Sequence, residues 1–251
     1  MIKKFKDIRY NGFNILRESW DICLILDACR YDLFMSVADD YDFITHVEKR
    51  WSIASESKAW MNRTFRFEDC SDIIYICGNP LLEDTKVKLS KFHRVIQPWK
   101  TQWDSDVGTI RSEELTDILI DNMDKISEKR IIVHYMQPHY PFISDIVNSP
   151  KMSAGPIKHD EDYNIWDLLK NGKYTENEIW QGYQDNLRYV LDDIERIEFT
   201  GEICITSDHA NAMGEHGVYG HPKQSNNPFV REVPYCKINT IHGMLRDLGY
   251  L

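Results

Sequence analysis

The chain has 251 residues, with 30 Lys+Arg against 40 Asp+Glu for a formal charge of −10, and is 42% hydrophobic, 12% aromatic and 28% charged. These proportions exclude disorder, collagen and coiled coil as its main description, and the length suits one α/β domain spanning 1–251. The acidic balance argues against a nucleic-acid-binding surface and leaves room for a local pocket that takes one small anion.

The chain opens on MIKKFKDIRYNGF, which is basic, but no apolar core of signal-peptide length follows. No run approaches the ~18 apolar residues of a membrane span, so the expected location is the cytoplasm. The first apolar run of strand length is ICLILDA at 22–28. It delivers Asp27 directly after a buried strand, where a carboxylate must be paired, metal-bound or used as a helix N-cap. A helix begins near Arg30, and Arg30 and Asp32 either reach the site or pair locally. WSIASESKAWMNRTF at 51–65 then places three serines ahead of an amphipathic helical turn. A hydroxyl at a helix N-terminus beside a divalent cation suits a nucleophile: Ser57 is best placed and Ser55 next, although serine is also a common cap. Lys58 adds positive charge for an anionic substrate.

DIIYICGN at 72–79 predicts the second strand and FHRVIQPW at 92–99 a weaker third. From Ser112 to Lys129, apolar residues recur at helix spacing. RIIVHYM at 130–136 predicts the fourth strand; His134 inside it reads as a satisfied core residue, while His139, between Pro138 and Pro141, is placed to touch a ligand or metal. The segment 143–172 is polar and aperiodic, either a lid or substrate loop or a plain surface excursion. A helix follows over Glu176 to Ile197, opened by a Thr175–Glu178 capping box. EICITSD at 202–208 predicts the fifth strand, VPYCKI at 233–238 an edge strand, and Thr240 to Leu248 a last helix. Cys23, Cys29, Cys70, Cys77, Cys204 and Cys236 form no CxxC pair and read as buried free thiols of a reducing compartment.

Continuous apolar runs suit strands covered on both faces, and their alternation with helices predicts a doubly wound, mainly parallel α/β sheet with helices on both faces. Ligands of such sheets lie at the carboxyl ends of the strands, where Asp27, Asn79, His139 and Asp208–His209 fall. The densest group is ITSDHANAMGEHGVYGHP at 205–222. Asp208 and His209 there offer an oxygen and an imidazole suited to Zn²⁺ or Mn²⁺, whereas Ca²⁺ or Mg²⁺ would want more oxygen donors. Glu215, His216 and His221 follow within the same loop, with turn hydrogen bonding as the alternative reading of the histidines.

These blocks, in this order, resemble the alkaline phosphatase superfamily, and within it the sulfatase-like branch. DACRYD resembles the first metal-ligand block, HYMQPHYPF the HY-x-x-PH-x-PY block, SDHANAMGEHG the late SDHG-x-x-x-GEHG block, and YQDNLRYVLDDIE the helix between them. The resemblance spans about residues 20 to 240. It implies an alkaline-phosphatase-like fold, a metal held by Asp27, Asp208 and His209 with the nucleophile Ser57, and His139 and His221 holding the transferred group or a second metal. The C-x-P-S-R block that yields formylglycine is missing. ASESKAW stands in its place, which implies a phosphate ester or phosphonate rather than formylglycine sulfate chemistry. The expected activity is thus a metal-dependent hydrolase or phosphotransferase of a small anionic ester. The alternatives are a sulfatase with an unmodified hydroxyl and an inactive metal-binding scaffold, the latter favoured by Ala210 where the late block usually has Gly. Oligomeric state is not legible.

Overall fold

Five mutually parallel strands form the centre of the molecule: β1 (Ile22–Asp27), β3 (Cys70–Cys77), β4 (Phe92–Ile96), β5 (Arg130–Pro138) and β6 (Ile203–Thr206). β9 (Glu232–Ile238) pairs antiparallel with β6, and β2 (Glu48–Trp51) antiparallel with β9, giving the order β2-β9-β6-β1-β5-β3-β4. A hairpin of β7 (Ala212–Met213) and β8 (Tyr219–Gly220) stands apart. The computed structural model describes residues 12–125, 128–154 and 164–238.

The strand runs are continuously apolar because both faces of the sheet are covered. Ile22, Leu24 and Leu26 of β1 face one core, shared with Leu115 and Leu119 of α3 (Ser112–Ile120) and with Tyr183, Leu187, Val190, Leu191 and Ile194 of α5 (Glu176–Glu195). Cys23 and Ile25 face the other, with Trp60, Met61 and Phe65 of α2 (Ser57–Phe65). At roughly 1.5–3 kcal/mol per fully buried large side chain, the α5 stripe outweighs the weak helix propensity of its tyrosines, glycine and β-branched residues. Gly182 of α5 lies where a Cβ would come within 2.6 Å of the Phe142 ring. Its missing side chain is what lets the loop after β5 close onto the helix. The Thr175 capping box is present in full, with Glu178 Oε2 accepting the Thr175 N–H at 2.7 Å.

Several expectations change. β9 is not an edge strand, because β2 covers its outer side; Pro234 inside it and the exposed, charged Glu48 and Lys49 of β2 disguise both strands. The helix from Ser112 ends at Ile120, where Asp121 caps it and Asn122 turns its amide back onto Ile118 O at 2.8 Å. Asp27 is not a helix N-cap: Arg30 holds that position for α1 (Tyr31–Met35). The segment 143–172 is not wholly a polar excursion, since α4 (Ile165–Lys170) buries Ile165, Trp166 and Leu169. The helix expected at Thr240 to Leu248 lies outside the described residues, as does 155–163. All six cysteines are free and buried.

Candidate metal centre and nucleophile

The carboxyl ends of β1, β3, β5 and β6 converge on one point, and the loops that leave them are stitched to one another. The Cys29 N–H donates to Ser207 Oγ at 2.9 Å, the Ala28 N–H to Asp208 Oδ1 at 3.0 Å, and the His139 N–H to Asp27 O at 3.1 Å. An irregularity in the β1–β5 register, between Leu26 and Asp27, brings Asp27 opposite Pro138 rather than Met136. Ala28 turns the chain with φ of 61°, the left-handed region that costs an alanine about 1 kcal/mol.

Each carboxylate commits one oxygen to the protein and leaves the other without a partner. Asp27 Oδ2 accepts from Asn79 Nδ2 at 2.6 Å and from Ser57 Oγ at 3.3 Å, while Oδ1 is buried and unpartnered. Asp208 Oδ1 accepts the Ala28 and His209 N–H groups at 3.0 and 2.8 Å, while Oδ2 is buried and unpartnered. His209 Nε2 lies 3.6 Å from Asp27 Oδ1 and 3.5 Å from Asp208 Oδ2. Among the described residues, Asp27, Asp208 and His209 are the group whose ligand atoms lie close enough to share one ion. Two solvent-free carboxylate oxygens facing an imidazole nitrogen are costly as they stand and fit a divalent cation with mixed oxygen and nitrogen donors. Burial pushes Asp27 above the ordinary carboxylate range, with Asp208 adding to the rise. Asp208 is also buried, but His209, His134 and the Ala28 N–H outweigh this and hold it below that range.

Ser57 is the first residue of α2, and its Oγ lies 3.1 Å from His209 Nε2. It thus joins the two aspartates and His209, beside the amides that open the helix. Ser55 does not join them: its Oγ donates to Pro222 O at 2.9 Å and accepts the Ser225 N–H at 3.2 Å, bracing the loop that carries His221.

His139 and His221 face this group, with ring centroids 5.4 Å apart and His221 4.4 Å from His209. The Nδ1 of His139 is held by Tyr140 O at 2.6 Å, that of His209 by Ala210 O at 3.1 Å, and that of His221 by Asn211 Oδ1. These acceptors place the hydrogen on Nδ1 and turn the Nε2 lone pairs, that of His209 beside the Ser57 hydroxyl, outward as the tautomer a metal ligand needs. Burial lowers the pKa of His139 below its ordinary value. It lowers that of His221 well below, with the neighbouring His209 and His139 adding to the shift.

The two cations expected at the substrate face elsewhere. Arg30 is held by Asp32 at 2.6 Å and Glu215 at 2.7 Å, with its guanidinium over the Trp180 and Phe229 rings. Burial opposes its charge, but Asp32 and Glu215 outweigh it and raise its pKa. Lys58 points to Asp84, 3.9 Å away. Glu215 is spent on Arg30, and His216 is exposed beside Phe229. Ala210 is buried with its N–H on Val230 O, and it is not among the non-glycine residues with positive φ, so its position makes no demand for glycine.

Tyr183, Asn186 and Asn211 support the site without a functional signal of their own in the sequence, and His134 supports it against its sequence reading. Tyr183 donates to Ala28 O and accepts from Asn211 Nδ2 at 3.1 Å, so a chain of polar groups runs from the His221 ring to the strained turn after Asp27. Asn186 donates to His139 O and Pro141 O, both at 3.0 Å, and holds the loop after β5. His134 is not a satisfied core histidine: its Nε2 is buried without a partner and faces the two aspartates. The spacing of Tyr183 and Asn186 on one helical face was the only signal for that pair, and it is indistinguishable from core.

No protein-family model and no curated protein matches the chain by sequence. Solved structures do match. The soluble domain of lipooligosaccharide phosphoethanolamine transferase A from Neisseria meningitidis superposes with a TM-score of 0.53 at 12% identity, over 91% of this chain and 78% of that one. The lipoteichoic acid synthase LtaP from Listeria monocytogenes gives 0.55 at 10% identity, over 95% and 71%. The periplasmic domain of EptC from Escherichia coli, in complex with Zn, gives 0.52 at 10% identity, over 95% and 78%. Against the integral-membrane form of the Neisseria transferase, this chain spans 55% of the length. At such identities the likeness shows the fold, which is the mainly parallel, alkaline-phosphatase-like one.

Proposed function

We propose that this chain is a metal-dependent phosphate-ester transferase or hydrolase that works through a covalent phosphoserine at Ser57. The observation that carries this reading is the meeting of Ser57 Oγ, His209 Nε2 and two buried, unpartnered carboxylate oxygens at one point. Asp27, Asp208 and His209 would hold the cation, with Ser57 beside it. When bound, a divalent cation lowers the pKa of a neighbouring hydroxyl and offsets charge on a phosphoryl oxygen; Zn²⁺ or Mn²⁺ suits this donor set. That solved relatives in fold include a phosphoethanolamine transferase and, in complex with Zn, the periplasmic domain of EptC from Escherichia coli supports the reading.

Ser57 Oγ attacks phosphorus, its hydrogen passes to Asp27 Oδ2 and from there to the leaving oxygen as that P–O bond breaks. A second alcohol or water then attacks phosphorus, the serine–phosphate P–O bond breaks, and the incoming hydrogen returns through Asp27 to Ser57 Oγ. The helix amides at Ser57 face the developing charge. His139 and His221 present Nε2 lone pairs, so each accepts an O–H or N–H of the substrate or shares a second cation.

Charge favours one ester class. The aspartates contribute two negative charges, which one divalent cation balances. His139 and His221 are held neutral by burial, and neither Arg30 nor Lys58 faces the site. A phosphodiester, with one negative charge, is therefore the better fit than a dianionic monoester. The six free thiols support a reducing compartment.

The test is metal content of the purified protein together with turnover of bis-p-nitrophenyl phosphate, p-nitrophenyl phosphate and p-nitrophenyl sulfate. Near-stoichiometric metal and diester turnover that Ser57→Ala abolishes would support the reading. Absence of metal, or faster sulfate than phosphate turnover, would sink it.

A further inference from the structure

His134 is a fully buried residue in the middle of β5, a position where a histidine normally has both ring nitrogens satisfied. Its Nδ1 is, by the Tyr75 hydroxyl at 2.9 Å; its Nε2 is not. That nitrogen lies 3.7 Å from Asp208 Oδ2 and 3.9 Å from Asp27 Oδ2. The Tyr75 hydroxyl can donate to Nδ1, which places the ring hydrogen on Nε2, facing the two carboxylate oxygens; the Nδ1 of His209 meets the Ala210 carbonyl, which only accepts and keeps the hydrogen there. His209 meets Asp27 through the free Oδ1, whereas His134 meets it through Oδ2, the oxygen already engaged by Asn79 and Ser57. On Asp208 both rings face the free Oδ2, so His134 is set apart from His209 by its contact with the engaged oxygen of Asp27 and by the Tyr75 hydroxyl on its Nδ1, which suit an orienting donor rather than a further ligand. Its ring also packs edge-on against Trp60, three residues along α2 from Ser57, at 5.6 Å between centroids.

We infer that Tyr75 and His134 form a buried positioning pair for the metal centre: Tyr75 fixes the tautomer, and the His134 Nε2–H holds the Asp27 and Asp208 carboxylates in the orientation that binds the cation. The inference rests on the proposed metal-dependent reading and adds to it two residues that touch neither substrate nor Ser57. Outer groups that orient metal ligands typically matter by 10–100-fold in metal affinity.

The experiment measures the Zn²⁺ dissociation constant of the full chain by competition with a chromophoric chelator. The proteins are wild type, Tyr75→Phe, His134→Leu and His134→Gln, with the thermal midpoint of each metal-free protein as the folding control. Gln keeps an N–H donor at the end of its side chain; Leu does not. Support is a Zn²⁺ affinity weakened about 10–100-fold in His134→Leu and by less in Tyr75→Phe, with recovery in His134→Gln. A merely structural histidine would not give recovery by the amide. Wild-type affinity in Tyr75→Phe overturns the pairing even where His134→Leu fails to fold, and so does a His134→Gln variant that folds but binds as weakly as His134→Leu, or a folded His134→Leu that binds as tightly as wild type. Zn²⁺ bound equally by all four, with diester turnover lost only in Ser57→Ala, overturns this inference and leaves the functional reading standing. A wild-type chain that binds no Zn²⁺ overturns both.

Discussion

Ser55 and Ser57 stand one residue apart and serve different loops. Ser55 Oγ donates to Pro222 O at 2.9 Å, whereas Ser57 Oγ lies 3.1 Å from His209 Nε2. The turn of chain before α2 thus ties down the His221 loop with one hydroxyl and presents the other to the metal cluster. Ser57→Ala is expected to lower phosphodiester turnover by at least about 10³-fold, because nothing replaces the attacking oxygen. Ser55→Ala keeps the nucleophile and should cost about tenfold or less. Steady-state kinetics on the two variants decides it, and the reverse ranking would transfer the nucleophile to Ser55.

Asp27 is placed where function and stability oppose each other. Its pKa in the folded, metal-free protein lies above the ordinary 3.8, so the fold holds that proton more tightly than the unfolded chain does. The contribution is stabilising below 3.8 and is lost as pH rises through the folded value, leaving a buried charge as a cost at neutral pH. Asp27→Asn removes that charge and keeps the shape. The metal-free variant should melt at least as high as wild type at pH 7, and Zn²⁺ should no longer raise its midpoint. A calorimetric scan with and without Zn²⁺ measures both, and a variant still stabilised by Zn²⁺ would remove Asp27 from the ligand set.

What the sequence made legible follows from where charge interrupts an apolar run. Asp27 ends a strand continuous in Ile, Leu and Cys, and Asp208 and His209 follow one that breaks into Thr206 and Ser207, so strand length brings them to one end of the sheet. Ser57 was legible as the start of a helix, but its preference over Ser55 needed the Pro222 carbonyl in space. Arg30 misled because its partners, Asp32 and Glu215, belong one to its own turn and one to a loop 185 residues away. His134 was hidden for the opposite reason: inside an apolar strand it has the pattern of a core residue, and only the two carboxylates converging from β1 and β6 distinguish it. β2 was missed because Glu48 and Lys49, exposed at the sheet's edge, give no apolar run.

Ala28 adopts φ of 61° immediately after Asp27, and the Tyr183 hydroxyl holds its carbonyl in that turn. Ala28→Gly should stabilise the metal-free protein by up to about 1 kcal/mol, since glycine enters this region without the Cβ clash, offset in part by its greater freedom when unfolded. Tyr183→Phe should cost about 1–3 kcal/mol, because it strips Ala28 O and Asn211 Nδ2 of a buried partner. Urea titrations of both variants measure these changes. A Tyr183→Phe variant as stable as wild type would show that the turn holds without the hydroxyl.

His221 gives the site a signature in its response to acid. Burial, together with the nearby His209 and His139, places its pKa well below 6.5 in the folded protein, while the unfolded chain titrates at the ordinary value. Above 6.5 both states leave it neutral and its contribution is fully present. As pH falls below 6.5 the unfolded state takes up a proton that the folded state refuses, and stability is lost at up to about 1.4 kcal/mol per pH unit until the folded value is reached. Asp27 acts with the opposite sign, but its first-order effect is shared by a His221→Gln variant, so the comparison of the two proteins reports mainly on His221. Loss of the Asn211 contact shifts the variant's stability at every pH and leaves the slope to the imidazole. Metal-free wild type should therefore lose stability between pH 6.5 and 5 more steeply than His221→Gln, as followed by urea midpoints across that range. Parallel curves would mean that His221 takes its proton as readily folded as unfolded, and the neutral, lone-pair-forward imidazole on which its role depends would be lost.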